Sequence, residues 1–460
     1  MRFFGLLFKY FVLLSAFWGV LPTFAGTTNP DPDIQKIISE ISADRIQRSI
    51  YVLSSFKTRH TLSDPLPSGD GIGGAASWVK AEFERVSVAS GGRLRVETDT
   101  FIQPILLPRV PHPTELINIV ATLPGTDSSA QSRVYVVSAH YDSCNRNILD
   151  STNAAPGADD DASGVAAVLE MARVMSHHEF PATLVFMAVP GEEQGLLGSA
   201  HWAEKARSNS MHIEGMFDND IIGNSKSQTG KIDRNSVRLF AEGVTTKSKV
   251  DDQLLELIRI GGENDSPTRE LARAIRDTAM QYVPNMTVHV IYRADRYLRG
   301  GDHQPFLQKG FPAVRFTEPA ENYHHQHEDL RTVNGVIYGD RPEFVDFAYI
   351  AQVARINASS LAVFARAPAA PLGVQIETAQ LENDTSLRWL PNTEANLAGY
   401  RIVWRETTSP FWENSLDVPA NVTRKTIEGL SKDNVIFGVQ AFDTAGHISP
   451  AVFPRPRRTL

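Results

Sequence analysis

A single cysteine, Cys144, stands in 460 residues, so no intrachain disulfide can brace the fold. Its default role is that of a small buried hydrophobe. No Lys/Arg-rich run occurs, and 45 basic against 53 acidic residues leave a formal charge of −8. That balance argues against a nucleic-acid partner. Low-complexity tracts and fixed-period repeats are missing too, and beyond the N-terminus no stretch is apolar enough to cross a bilayer. What is there is an ordinary globular composition, 42% hydrophobic and 21% charged, over a length that suits two domains.

The chain opens on its one long apolar run. "MRFFGLLFKYFVLLSAFWGVLPTFAG" sets Arg2 and Lys9 ahead of an apolar stretch that ends in Thr23-Phe24-Ala25. This is the layout of a secretory signal peptide over residues 1–25, cleaved after Ala25. Gly19 and Pro22 interrupt the run, which is short for a span of about 20 residues. The mature protein is expected to be soluble and exported, secreted or periplasmic, with no integral membrane segment after cleavage.

Residues 26–366 read as one domain. "DPDIQKIISEISADRIQRSIYVLSSF" carries Ile34, Ile37, Ile38 and Ile41 on one helical face, and "GIGGAASWVKAEFERVSV" predicts a second helix. From Leu116 the pattern changes. "ELINIVATL", "RVYVVSAH", "ATLVFMAVP", "IEGMFDNDII", "MTVHVIYR" and "PAVRFTE" predict strands, with "SGVAAVLEMARVM", "GSAHWAEKARS" and "SPTRELARAIRDTAMQYV" as helices between them. This alternation predicts an α/β fold, a mixed and mostly parallel sheet covered by helices on both faces. "RPEFVDFAYIAQVARINASSLAVFA" predicts a long closing helix, and the Pro/Ala stretch at residues 367–372 a linker. Residues 373–455 alternate short strands and turns, which predicts a small C-terminal all-β sandwich. Trp389, Tyr400, Trp404, Leu430 and "VQAFDTAGHIS" resemble a fibronectin type III domain, although Val435 stands where that family usually carries its corner tyrosine.

Open α/β sheets bind ligands beyond the carboxyl ends of their strands, and here those ends are acidic. "RVYVVSAHYD" ends in His140 and Asp142, "ATLVFMAVPGEE" in Glu192 and Glu193, and "IEGMFDND" in Asp218 and Asp220. "GADDDASG" places Asp159, Asp160 and Asp161 side by side before a helix. Such charges repel one another across a cleft unless a cation lies between them. Imidazole with carboxylate favours zinc or a similar first-row metal over magnesium or calcium. The carboxylates are numerous enough to bridge two ions, and one glutamate of the pair can bind metal while its neighbour acts as general base.

The motifs "HYD", "APGADDDASG", "GEEQGLLGS", the Asp before "IIG" and a final H-x-x-x-D, in this order, resemble the secreted bacterial leucyl aminopeptidases. That family comprises co-catalytic di-zinc exopeptidases, and the resemblance spans residues 30 to 365. It implies the zinc exopeptidase fold and two Zn²⁺ ions. By resemblance His140 ligates one zinc together with Asp220, Asp160 bridges both, and Glu193 ligates the other. Asp218 is the near miss for Asp220, because the family's Asp directly precedes an apolar pair. Glu192 is the implied general base and Asp142 the partner that fixes the tautomer of His140. A cis peptide bond is implied between Asp160 and Asp161. Of the histidines in "ENYHHQHEDL", the family spacing to Asp329 selects His325, with His327 as runner-up. His303 is implied to line the pocket without ligating.

The implied activity is hydrolysis of the N-terminal bond of peptide or protein substrates by a metal-bridging water or hydroxide, with Glu192 as base. Alternatives on the same scaffold are a carboxypeptidase, a glutaminyl cyclase (cyclases use one zinc, whereas this chain keeps residues for two) or a non-catalytic binding protein. Neither Cys144, which has no dedicated histidine, nor Ser199, which lacks the G-x-S-x-G elbow, reads as a nucleophile. The C-terminal domain reads as a spacer, with contact to a polymer or the cell envelope as its other reading.

Overall fold

The computed structural model describes residues 30–244 and 250–457; the expected signal peptide lies outside the described residues. The first helical stretch is two helices, α1 (Pro32–Ser39) and α2 (Ala43–Ser55). The break comes at Ser42, whose hydroxyl caps α2 by accepting from Arg45 N at 3.4 Å while its own N–H donates to Glu170 at 2.8 Å. A third helix, α3 (Ile72–Ala89), precedes the sheet.

Eight strands form that sheet: β1 (Arg95–Gln103), β2 (Thr114–Leu123), β3 (Arg133–His140), β4 (Thr183–Val189), β5 (His212–Asn219), β6 (Ser236–Phe240), β7 (Thr287–Ile291) and β8 (Ala313–Thr317), in the order β1-β2-β4-β3-β5-β8-β6-β7. β4, β3, β5 and β8 run parallel through the middle, while β2 and β6 pair antiparallel with their inner neighbours. β3 is buried along its whole length, and its residues alternate between two cores. Tyr135, Val137 and Ala139 join the larger core with α1 to α3, α4 (Ala162–Met175), α7 (Pro267–Tyr282) and α9 (Phe347–Arg366). Val134 and Val136 face the smaller one, under α5 (Leu197–Ser208) and α8 (His303–Gln308). Helices therefore cover both faces, and the strand ends stay open. The exposed α6 (Asp252–Arg259) and a hairpin of β9 (Arg331–Val333) and β10 (Val336–Tyr338) complete this part of the chain. Among the described residues no helix is long and apolar enough to cross a membrane.

After α9, two sheets face each other across a small core containing Leu387, Trp389, Tyr400, Ile402, Phe437 and Val439. β11 (Gln375–Glu377), β12 (Thr385–Arg388), β15 (Arg424–Ile427) and β17 (Arg455–Arg457) make one sheet, in the order β15-β12-β11-β17. The other is β14 (Asn414–Pro419), β13 (Leu397–Glu406) and β16 (Val435–Asp443). Tyr400 packs edge-on against Trp389, and its hydroxyl accepts from Asn392 N at 2.8 Å.

The segment joining the two parts is held down. The Ala367 carbonyl accepts from Arg133 at 2.8 Å, and Ala369 N donates to Glu394 at 2.6 Å. A separate buried ion cluster also ties the two parts together. Arg405 of β13 donates to both oxygens of Asp265 at 2.8 and 2.9 Å, and Arg273 of α7 pairs with Asp265 at 2.7 Å and with Glu270. Trp412 Nε1 completes it by donating to Glu270 at 3.0 Å.

Candidate metal centre

His140 is the last residue of β3 and is 1% exposed. Its Nδ1 faces the carbonyl oxygen of Asp142 at 3.1 Å, which suits an Nδ1–H donor and leaves the Nε2 lone pair free. Nε2 looks at carboxylates, with Asp160 Oδ1 at 3.1 Å and Asp220 Oδ1 at 3.9 Å, and makes no hydrogen bond. Burial alone would lower the pKa of this imidazole, but Asp142, Asp160 and Asp220 hold it well above the ordinary value, so the Nε2 lone pair becomes available to a cation that displaces the ring proton. The Asp142 carboxylate has Oδ1 3.4 Å from His140 Nδ1 and works elsewhere too. It accepts from the Thr61 hydroxyl at 3.0 Å and from Glu192 N and Glu193 N at 3.3 and 3.2 Å, so it ties the loop after β4 to the end of β3.

The three adjacent acids have separate tasks. Asp161 caps α4 by accepting from Gly164 N at 3.0 Å, and also accepts from His140 N at 3.2 Å. Asp159 accepts from Gly223 N at 2.7 Å and anchors the loop after β5. Asp160 alone turns both oxygens into the cleft: Oδ1 toward His140, and Oδ2 to 2.9 Å from His327 Nε2. The Asp160–Asp161 peptide bond is cis.

The structure puts His327, not His325, at the cleft. Its Nε2 is also 3.2 Å from Glu193 Oε2. His327 has φ +48°, and this left-handed turn swings its ring inward. His325 instead stacks on Phe344, with ring centroids 3.7 Å apart, and Asp329, whose spacing selected it, is exposed. Spacing along a short turn does not fix side-chain direction, and here it selected the ring that stacks on Phe344 over the one that faces Asp160 and Glu193.

Two donor groups result, His140 with Asp160 and Asp220, and Glu193 with His327 and Cys144. Burial, with Asp220, Glu193 and Asp302 nearby, raises the Glu192 carboxyl well above its ordinary range, against the pull of His140. Burial also pushes the Cys144 thiol up, and Glu193 adds to the rise. Asp218 and His303 are occupied with each other at 3.2 Å, and the other ring nitrogen of His303 faces the Ala294 carbonyl at 2.7 Å. Both nitrogens of the His303 ring are thereby occupied, while Asp218 engages it through Oδ2 alone.

Sequence reading missed three residues that hold this arrangement. Arg59 is fully buried and donates to the carbonyls of Tyr141 at 2.7 Å, Gly157 at 2.8 Å and Pro156, stapling the end of β3 to the acidic turn. Asp340 accepts from Asp159 N and Asp160 N at 2.9 and 2.8 Å. Arg315 of β8, also fully buried, has Nη2 3.0 Å from Asp220 Oδ2 and Nη1 2.6 Å from Asp295. Its place on β8, one strand from Asp220, was the available signal, but a lone arginine in a strand reads as a surface residue.

The donors suit zinc. Imidazole nitrogen and carboxylate oxygen converge, Asp160 offers one oxygen to each side, and His140 Nε2 and Glu193 Oε1 are buried without hydrogen-bond partners. Residues 118–336 match the model of Peptidase family M28. A protein of Leptosphaeria maculans with the description "Probable zinc metalloprotease" is 45% identical over 427 residues, covering 93% of this chain and 98% of that protein. Among solved structures, the LapA aminopeptidase of Legionella pneumophila is 20% identical with a TM-score of 0.47, over 72% of this chain and 74% of that one. A glutaminyl cyclase of Porphyromonas gingivalis is 16% identical with a TM-score of 0.47, over 70% and 97%. On the extent and identity of the match to the L. maculans protein, the chain belongs to peptidase family M28.

Proposed function

We propose that this chain is an exported, zinc-dependent aminopeptidase that releases residues from the free N-terminus of peptides. The observation that carries the reading is Asp160, whose two oxygens face His140 and His327 separately, with Asp220 and Glu193 completing a donor set on either side. His140, Asp220 and Asp160 would hold one ion, and Glu193, His327 and Asp160 a second. Bound zinc supplies Lewis acidity and makes water a nucleophile near neutral pH.

The chain's own groups do the rest. Glu192 takes a proton from the attacking water as its oxygen bonds to the peptide carbonyl carbon, and returns it to the leaving nitrogen as the C–N bond breaks. Asp142 positions Glu192 and Glu193 through their backbone N–H groups. Arg315 orients Asp220 and offsets part of its charge. The surplus of carboxylates draws a cationic substrate N-terminus toward the cleft. The C-terminal sandwich we read as a fibronectin type III-like packing module, which the buried junction cluster supports.

Comparing kcat/KM for one peptide with free and with acetylated N-terminus, with and without chelator, tests the reading. Free-amine peptides should be cleaved much faster, and chelator should abolish cleavage. Equal rates would reject the aminopeptidase and leave an endopeptidase or carboxypeptidase. Cyclisation of glutaminyl peptides without hydrolysis would favour the glutaminyl cyclase.

A further inference from the structure

We propose that Cys144 is a thiolate ligand of the second metal position, beside Glu193, His327 and the shared Asp160. The proposal rests on the metal-binding reading above. The Cys144 sulfur, a Glu193 carboxylate oxygen and a His327 ring nitrogen all lie within 4.8 Å of one another. Donors on one tetrahedral zinc stand about 3.3–3.8 Å apart, given Zn–N, Zn–O and Zn–S bonds of about 2.0–2.3 Å. Small movements therefore bring the three groups onto one ion.

A second observation points the same way. Glu193 is 4% exposed, its Oε2 faces His327 at 3.2 Å, and its Oε1 has no hydrogen-bond partner. A buried carboxylate oxygen without a partner is costly unless a cation takes it. The loop is also too constrained for the thiol to be an accidental neighbour. Tyr141 through Asn145 are all buried, and the Ser143 hydroxyl donates to the Ala155 carbonyl at 2.8 Å while accepting from Arg59 N at 3.2 Å.

The two positions then differ in kind. The first offers only nitrogen and oxygen, with Arg315 behind Asp220. The second adds a soft, anionic sulfur, which favours zinc or cadmium over magnesium or manganese. Binding there releases the thiol proton to solvent.

X-ray absorption at the zinc edge of the zinc-loaded full-length chain tests this. Cys144 is the only cysteine, so a thiolate shell has one source. The expected result is a sulfur shell at about 2.3 Å that disappears in Cys144→Ser while zinc is retained. Should that variant fail to fold, cobalt-loaded wild-type protein provides the second measurement. It should show a near-ultraviolet thiolate-to-cobalt charge-transfer band, which a thioether or hydroxyl cannot give. Zinc bound through nitrogen and oxygen alone, or cobalt without that band, overturns the proposal and leaves the metallopeptidase reading standing. Failure to take up zinc at all sinks both.

Discussion

Two places in this molecule bury clusters of carboxylates, and they are balanced differently. At the junction Asp265 and Glu270 face Arg273 and Arg405, so guanidinium groups are at least as many as ionised carboxylates, with Trp412 donating to the other Glu270 oxygen. In the cleft Asp159, Asp160, Asp161, Glu193, Asp220 and Asp340 are all buried, and Arg59 and Arg315 are buried cations beside them. The junction supplies its own counter-charge, whereas the cleft holds more carboxylates than guanidinium groups, a surplus we read as balanced by bound metal. Burial is thus a poor guide to function here. Charge balance within a buried cluster separates a structural joint from a metal site.

The largest effects should come from the cleft. Glu192→Gln should lower kcat by on the order of 10²–10⁴ with metal content and fold retained, the usual scale for a positioned acid–base group. Glu193→Gln should lose metal as well as activity. Loss of metal from Glu192→Gln with the fold intact would mean the pair is reversed.

The two neighbouring histidines sharpen the contrast further. His327→Ala should release one metal ion per chain and most of the activity, because its ring faces Asp160 and Glu193. His325→Ala removes a stacking partner of Phe344 and should leave metal content unchanged. Elemental analysis of both variants separates them.

At the junction the effect should fall on stability alone. Arg405→Met strands the buried Asp265 without its bidentate partner, and breaking such a pair from one side costs about 3–5 kcal/mol. Thermal melting should drop while metal content and kcat/KM per folded molecule stay at wild-type values. A loss of activity without loss of stability would break the distinction between the two clusters.

The smallest effect is a pH dependence. Burial, reinforced by the Asp265 charge, raises the Glu270 carboxyl from 4.5 to about 8 despite the attraction of Arg273. A carboxyl raised in the folded state stabilises it fully below the unfolded pKa of about 4.5, and that contribution is lost as pH rises through about 8. The gap in Tm between wild type and Glu270→Gln should therefore shift against the wild type across that window. A gap independent of pH would show that Glu270 is ionised throughout.

The strand ends were legible because each apolar run stops at a His, Asp or Glu, a pattern that depends on sequence alone. All six expected strands of the large sheet are present as β2, β3, β4, β5, β7 and β8. β1 and β6 were missed: "RVETDTFIQ" buries Asp99 and exposes Ile102, so it lacks an apolar buried face, and "SVRLF" is too short for its pattern to show. The direction of the His327 ring depends on one positive φ, which spacing does not encode. Arg59 holds Tyr141 and Gly157 from 82 and 98 residues along the chain, and Arg315 reaches Asp220 from a neighbouring strand. Only the folded chain brings such pairs together.

The central claim is that the acid surplus of the cleft is balanced by two metal ions. Elemental analysis of the purified full chain, related to protein concentration and to specific activity as metal is titrated back after chelation, measures this directly. The account predicts that activity rises until close to two zinc ions are bound per chain, and that His327→Ala stops at one. Full activity with one ion, or with none, would contradict it.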